Sequence, residues 1–142
     1  MKVGKVLGVV SIAVIGTALI APGLGTSIAK KKPINIKLGE SGSKFYLKPA
    51  PKTSKPNKVG FLVKNKGKLP HEVKWLKTDT LAADLPVNGN LADETGKVKS
   101  SKVLPAGKSQ TVKVKLVAGH YALICNLPTH YQAGQYADFN VK

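Results

Sequence analysis

The segment Cys125-Asn126-Leu127-Pro128-Thr129-His130-Tyr131-Gln132-Ala133-Gly134-Gln135 sets a thiol, an imidazole and a side-chain amide at Cys-x4-His-x4-Gln spacing. Three such donors in one loop can converge on a single ion, and Pro128 and Gly134 give the loop a fixed entry and a tight exit. A second imidazole must come from elsewhere. His71 supplies it, following Asn65-Lys66-Gly67-Lys68-Leu69-Pro70. Cys125 is the single cysteine, so no disulfide can form within the chain. A lone thiol exported from the cytoplasm tends to oxidise, which points to a metal ligand or a nucleophile rather than an idle core residue. His120 is excluded from the cluster. It precedes Cys125 by five residues, a reach of about 16 Å in an extended chain, and is expected as an exposed turn residue beside Gly119.

The elements that must position these groups read as strands. Ile34-Asn35-Ile36-Lys37-Leu38 and Thr111-Val112-Lys113-Val114-Lys115-Leu116 alternate apolar and polar residues, the pattern of a strand with one buried face. Further strands are predicted at Lys44–Leu47, Val59–Asn65, Val73–Leu76, Tyr121–Cys125 and Tyr136–Val141. Residues 49–57, with Pro49, Pro51 and Pro56, are expected as a surface loop unable to hold a ladder. Residues 81–107 are expected to be mostly irregular, with a helical turn near Leu81–Leu85. Short strands divided by turns, without a helical period, predict an all-β, Greek-key β-sandwich.

The beginning of the chain is different. Lys2 and Lys5 precede an uncharged run from Val6 to Ala29, broken by Pro22, Gly23 and Gly25 and closed by the small residues Ser27-Ile28-Ala29. Residues 1–29 therefore read as a hydrophobic signal peptide or membrane-anchor helix, with cleavage expected after Ala29, and residues 30–142 as one exported domain. That placement is periplasmic or otherwise extracytoplasmic, either free after cleavage or tethered.

The formal charge of +16 comes from lysine alone, since the sequence has no arginine. Without the guanidinium fork, or a basic stripe interleaved with aromatics, nucleic acid is not an expected partner. Scattered lysines point instead to a solvated surface attracted to anionic lipid or to an acidic protein.

Val63-Lys64-Asn65-Lys66-Gly67 leading to His71-Glu72, and Gly119-x-Tyr121-x-x-x-Cys125 leading to His130 and Ala133-Gly134-Gln135, resemble the small blue copper proteins, the cupredoxins. The resemblance covers residues 34–142. It implies one type 1 copper per chain with His71, Cys125 and His130 as trigonal ligands, a site type used for electron transfer. Most members carry an axial Met, and the only Met here is Met1. Gln135 stands at that position, as in the stellacyanin-like branch, and is expected as the weak axial ligand. Thr129 departs from the family too, because related loops often have Gly before the histidine. Asn65, Glu72 and Asn126 flank the ligands and are expected to hydrogen-bond the site and orient the imidazoles. Tyr131, Tyr136, Trp75 and Phe139 are expected as core or rim aromatics.

The resulting expectation is a non-enzymatic, monomeric one-electron carrier, its copper cycling between Cu(I) and Cu(II), which docks transiently on redox proteins with acidic surfaces. Membrane association is expected through residues 1–29. Three alternatives use the same residues: copper storage or delivery, a zinc site, and a thiol hydrolase with Cys125 as nucleophile and a histidine as base. The chain lacks the Met- or His-rich segments of the first and an evident orienting third group for the last.

Overall fold

The computed structural model describes residues 31–142 together with Gly4, so the expected leader and its cleavage point lie outside the described residues. Eleven strands follow one another: β1 (Ile34–Ser41), β2 (Lys44–Ala50), β3 (Thr53–Ser54), β4 (Asn57–Asn65), β5 (Lys74–Lys77) and β6 (Val87–Asn88). The rest are β7 (Leu91–Ala92), β8 (Lys97–Ser100), β9 (Ser109–Leu116), β10 (Gly119–Ile124) and β11 (Tyr136–Val141). Among the described residues there is no helix. The expected helical turn near residues 81–85 is a single turn closed by Asp84 N–H donating to Leu81 O at 2.9 Å.

Two sheets form the sandwich, in the orders β2-β1-β4-β9 and β3-β11-β10-β5-β8, while β6 and β7 pair as a separate hairpin. The alternating strands supply the interior. Ile34, Ile36 and Leu38 of β1 and Val112, Val114 and Leu116 of β9 turn inward with Phe61 and Val63, meeting Trp75, Tyr121, Leu123 and Phe139 of the second sheet. Phe61 sits between Trp75 and Phe139, at ring-centroid distances of 5.2 and 5.5 Å. β10 does not alternate, because both of its faces are covered. Its outer residues Ala122 and Ile124 pack with Leu76 of β5, with Ala82, Leu85 and Ala92 from the segment between β5 and β8, and with Tyr131 from the loop after β10, a second cluster. A tyrosine corner locks the entry to β10: the Tyr121 hydroxyl donates to Val117 O and accepts from Val117 N–H, both at 3.1 Å.

Two expectations are corrected and a third is refined. Residues 49–57 do hold ladder pairs, since Pro49 lies opposite Ile36 in β2 and Thr53–Ser54 pair with β11. Pro49 is tolerated because β2 is an edge strand, where a missing N–H interrupts no second ladder. Residues 81–107 are mostly irregular as expected, but β8 within them pairs with β5 and forms the far edge of the second sheet, its residues alternating too weakly to show as a strand. His120 is not an exposed turn residue. It lies in β10, half-buried, its Nδ1 2.6 Å from Thr78 O and its Nε2 2.8 Å from Asp138 Oδ1.

A candidate metal centre at one end of the sandwich

At one end of the sandwich the exits of β1, β4 and β10 meet the entries of β2 and β11, and the two sequence regions singled out above converge there. Cys125 directly follows β10. Its N–H donates to Gln135 O at 3.0 Å, prolonging the β10–β11 hairpin by one rung. Between these residues the loop winds through successive turns: His130 N–H to Leu127 O at 3.0 Å, Ala133 N–H to Thr129 O at 3.0 Å and Gln135 N–H to His130 O at 3.1 Å. Two residues carry the sharp reversals. Gly134 has φ +97°, at the point where Phe45 N–H of β2 donates to Ala133 O at 3.1 Å. Thr129 has φ +70°, a left-handed conformation that is costly for a β-branched side chain. Its N–H is held by Asn90 O at 3.0 Å. This is the position where related loops often have glycine, the residue that meets no steric penalty there.

His71 arrives from the other side. It forms a lone antiparallel bridge with Leu104, its N–H donating at 3.1 Å and its C=O accepting at 2.7 Å. The approach is fixed by Asn65, whose amide donates to Leu69 O and Leu104 O, each at 2.8 Å, while its Oδ1 accepts from Gly67 N–H at 2.9 Å.

One donor atom each from His71, Cys125 and His130 lies within 4.8 Å of the others. His71 Nδ1 and His130 Nδ1 are 3.2 Å apart, and Cys125 Sγ is 3.5 Å from His130 Nδ1. Gln135 Oε1 closes the group, 2.9 Å from His71 Nδ1 and 3.2 Å from His130 Nδ1. Its amide is held by two backbone carbonyls, with Nε2 donating to Gly39 O at 3.3 Å and Tyr46 O at 3.2 Å. That bonding aims the oxygen at the imidazoles. All four residues predicted from sequence are thus brought together, three of them with no exposed surface and His130 half-exposed.

The residue that orients His71 was not anticipated. Glu40, at the end of β1, places Oε2 2.6 Å from His71 Nε2, and its other oxygen accepts from the Lys68 and Leu69 N–H groups. Its carboxylate occupies the space where a Cβ on Gly67 would come within 1.9 Å of Oε2. The Nε2–H of His71 donates to this carboxylate, so Nδ1 turns a lone pair inward. Phe45 was also missed. It packs against both imidazoles, its ring centroid 5.9 Å from that of His71 and 4.7 Å from that of His130.

None of the three expected outer residues bonds an imidazole, although Glu72 reaches the thiol through its N–H. Asn65 shapes the approach loop. Glu72 offers its N–H to Cys125 Sγ at 3.4 Å, while its carboxylate lies 3.3 Å from Lys74 Nζ. Asn126 donates to Ala92 O at 2.9 Å and accepts from Ala92 N–H at 2.8 Å, and also donates to Glu94 at 2.9 Å. Glu94 is gripped in turn by Lys74 and Lys97. Burial alone would push its carboxyl up, but the bonds from Lys74, Lys97 and Asn126 prevail and bring it to about 2.

The cluster presents neutral donors that a cation could gather. His71 Nδ1, His130 Nδ1 and Gln135 Oε1 lie at hydrogen-bond distance of one another, so either an Nδ1–H on a neutral His130 or a cation bound between them satisfies the group. Burial lowers the His130 pKa, and the neighbouring His71 lowers it further, which keeps the imidazole neutral and able to offer a lone pair to a metal. Burial raises that of the Cys125 thiol, against bonds from the Glu72 and Leu127 N–H groups. A bound metal would displace the thiol proton and offset the charge of the thiolate. Separations of 3.2 and 3.5 Å also suit nitrogen and sulfur ligands lying about 2.0 and 2.3 Å from one centre. Two imidazoles and a thiolate with a weak amide oxygen are the donor set of a type 1 copper site.

By sequence alone the chain matches no protein-family profile and no curated protein. By structure it is similar to reduced auracyanin from the photosynthetic bacterium Roseiflexus castenholzii, with a TM-score of 0.54 and 18% identity over 76% of this chain and 96% of that one. Rusticyanin from Thiobacillus ferrooxidans gives a TM-score of 0.53 and 16% identity, with 79% of each chain covered. A methionine-to-glutamine variant of rusticyanin gives 0.54 and 17%, with the same coverage. At these identities the likeness establishes the fold, and the buried cluster adds the chemistry. The chain has the cupredoxin fold of auracyanin and rusticyanin, with a His-Cys-His cluster that fits a type 1 copper centre at one end of its sandwich.

Proposed function

We propose that this protein is a one-electron carrier holding a single copper ion through His71, Cys125 and His130, with Gln135 as the weak axial ligand. The observation that carries the reading is the convergence of one thiol and two imidazole nitrogens within 4.8 Å in a buried pocket, closed by an amide oxygen. Bound copper would supply the redox couple. The remaining work belongs to the chain. Glu40 orients His71, the Gly39 and Tyr46 carbonyls fix the Gln135 amide, and the β10–β11 rung fixes Cys125, so the donors are set before an electron moves. Little rearrangement is then needed between the two oxidation states.

His130 is the one donor residue that reaches the surface, so its imidazole edge is the natural exit for an electron and the end of the sandwich around it the natural docking site. Burial of the other three favours a resident ion over the exchangeable one that storage or delivery would need. Export and a periplasmic location, implied by residues 1–29, place the carrier outside the cytoplasm, and a lysine-rich surface suits acidic redox partners. The test is to load the full chain with copper and cycle it with small one-electron reagents in the presence of a Cu(I) chelator. A carrier bleaches and recovers its colour over repeated cycles with the copper retained. Transfer of the metal to the chelator within the first reduction would assign the site to delivery.

A further inference from the structure

The outer face of the β2-β1-β4-β9 sheet carries a charge pattern that the metal site does not explain. Lys37 of β1 stands directly opposite Lys48 of β2 on one side and Lys64 of β4 on the other. Three ammonium side chains thus share one row, on strands about 4.8 Å apart. Lys58 of β4 faces Lys115 of β9, and Lys113 stands beside Gly60. Five of these six lysines are exposed and Lys64 is half-exposed. Like charges directly opposite one another destabilise a sheet.

No acid offsets them on this face. Glu40, the one acid in these strands, sits at the end of β1 and is committed to His71. The other six acids, Glu72, Asp79, Asp84, Asp93, Glu94 and Asp138, belong to the second sheet and its connections. The lysines of that sheet are partly neutralised, Lys74 and Lys97 both bonding Glu94. Charge is therefore segregated across the sandwich.

The lysine face continues into a groove of about 970 Å³ at the end opposite the metal centre, where Lys31, Lys32, Lys55, Lys58 and Lys113 converge. Lys31 and Lys32 directly follow Lys30, which ends the uncharged run of residues 6–29. Lys31 and Lys32, the first described residues after that run, thus lie in this basic groove. We infer that the outer face of this sheet, with the groove, docks on an anionic phospholipid surface. The end carrying His130 then stays free for a redox partner. Lipid headgroups supply an extended field of negative charge that matches a row of lysines and offsets their mutual repulsion.

The test uses the full chain and compares its partitioning onto phosphatidylglycerol-containing vesicles with that onto neutral phosphatidylcholine vesicles, at about 0.1 M salt. Taking the ratio of the two cancels the apolar contribution of residues 1–29, and Lys2 and Lys5 contribute equally to the parent and both variants. Each lysine at an anionic bilayer is worth about fivefold in affinity, so a Lys37→Gln, Lys48→Gln, Lys64→Gln triple variant should lower the ratio about a hundredfold. A Lys77→Gln, Lys97→Gln, Lys99→Gln variant has the same net charge and should keep the ratio within about threefold of the parent. The first variant should also melt no lower than the parent, because it removes like-charge pairs. Equal losses in both variants would reduce the effect to net charge and overturn the proposal. An unchanged ratio in the first would overturn it too, leaving an acidic protein as the complement of this face.

Discussion

Replacing Glu40 by Gln is the perturbation that separates an electrostatic role at the metal centre from a scaffolding one. Glutamine keeps the length of the side chain and an acceptor oxygen for His71 Nε2–H, and removes the negative charge. The carboxylate lies 2.6 Å from Nε2, with the imidazole between it and the inward-facing Nδ1. Adding the ring and a metal–nitrogen bond of about 2.0 Å puts the charge roughly 7 Å from a bound ion. At an effective dielectric constant near 20, one unit of charge at that distance contributes about 2.4 kcal/mol to stabilising the oxidised over the reduced ion. Since 2.3 kcal/mol corresponds to about 100 mV per electron, and the Glu40 side chain retains 12% of its exposure, a rise in reduction potential of roughly 50–100 mV is expected. The assay is a redox titration of the copper-loaded parent, Glu40→Gln and Glu40→Asp followed by visible absorption. Glu40→Asp keeps the charge and should stay closer to the parent. An unchanged or lowered potential in Glu40→Gln, with its colour intact, would refute the electrostatic role and leave Glu40 as a clamp for the Lys68 and Leu69 N–H groups.

The remaining predictions concern neighbouring parts of the same end. Gln135→Met exchanges a hard amide oxygen for a thioether and should raise the reduction potential, measured by the same titration; an equal or lower value would exclude Gln135 as a ligand. Thr129→Gly relieves a β-branched residue at φ +70° and should stabilise the fold by about 1 kcal/mol in urea unfolding, after allowance for the backbone entropy of glycine; a loss of stability would show that the threonine side chain is needed there. Glu94 has its folded pKa depressed from 4.5 to about 2, so its stabilising contribution is complete above pH 4.5 and is lost as pH falls from there toward 2. Discounted for solvent screening, that contribution is about 1–2 kcal/mol. Glu94→Gln should flatten the fall in melting temperature across that interval, and an unaltered acid limb would deny the Lys74–Glu94–Lys97 network its part in holding the Cys125 loop.

Much of this architecture was legible in the residues because it is written at short range. The alternation in β1 and β9 marks one buried face each, and the Cys-x4-His-x4-Gln spacing sits within a single loop. His71 was legible through the segment leading to it. What escaped is what depends on partners far away in the chain. Glu40 gives no local sign of its role, because its contacts with Lys68, Leu69 and His71 form only when β1 and the approach to His71 are already packed side by side. Phe45 reads as an ordinary strand residue until the loop after β10 folds back over it. Pro49 misleads unless β2 is known to be an edge strand. β8 is short and weakly patterned, and its pairing is set by β5 rather than by its own sequence. His120 looked exposed beside Gly119, yet the segment after β5 brings Thr78 and β11 brings Asp138 against it. Gln135 was legible as a candidate, but the aim of its oxygen comes from carbonyls of β1 and β2.

The central claim is that Cys125 and its neighbours hold copper as a thiolate site. Its most direct test is a visible absorption titration of the full chain with Cu(II), in parallel with a Cys125→Ser variant. The account predicts an intense colour that saturates at one copper per chain and is absent from the variant. No colour, or the same colour without Cys125, would contradict it and return zinc binding or thiol chemistry to this site.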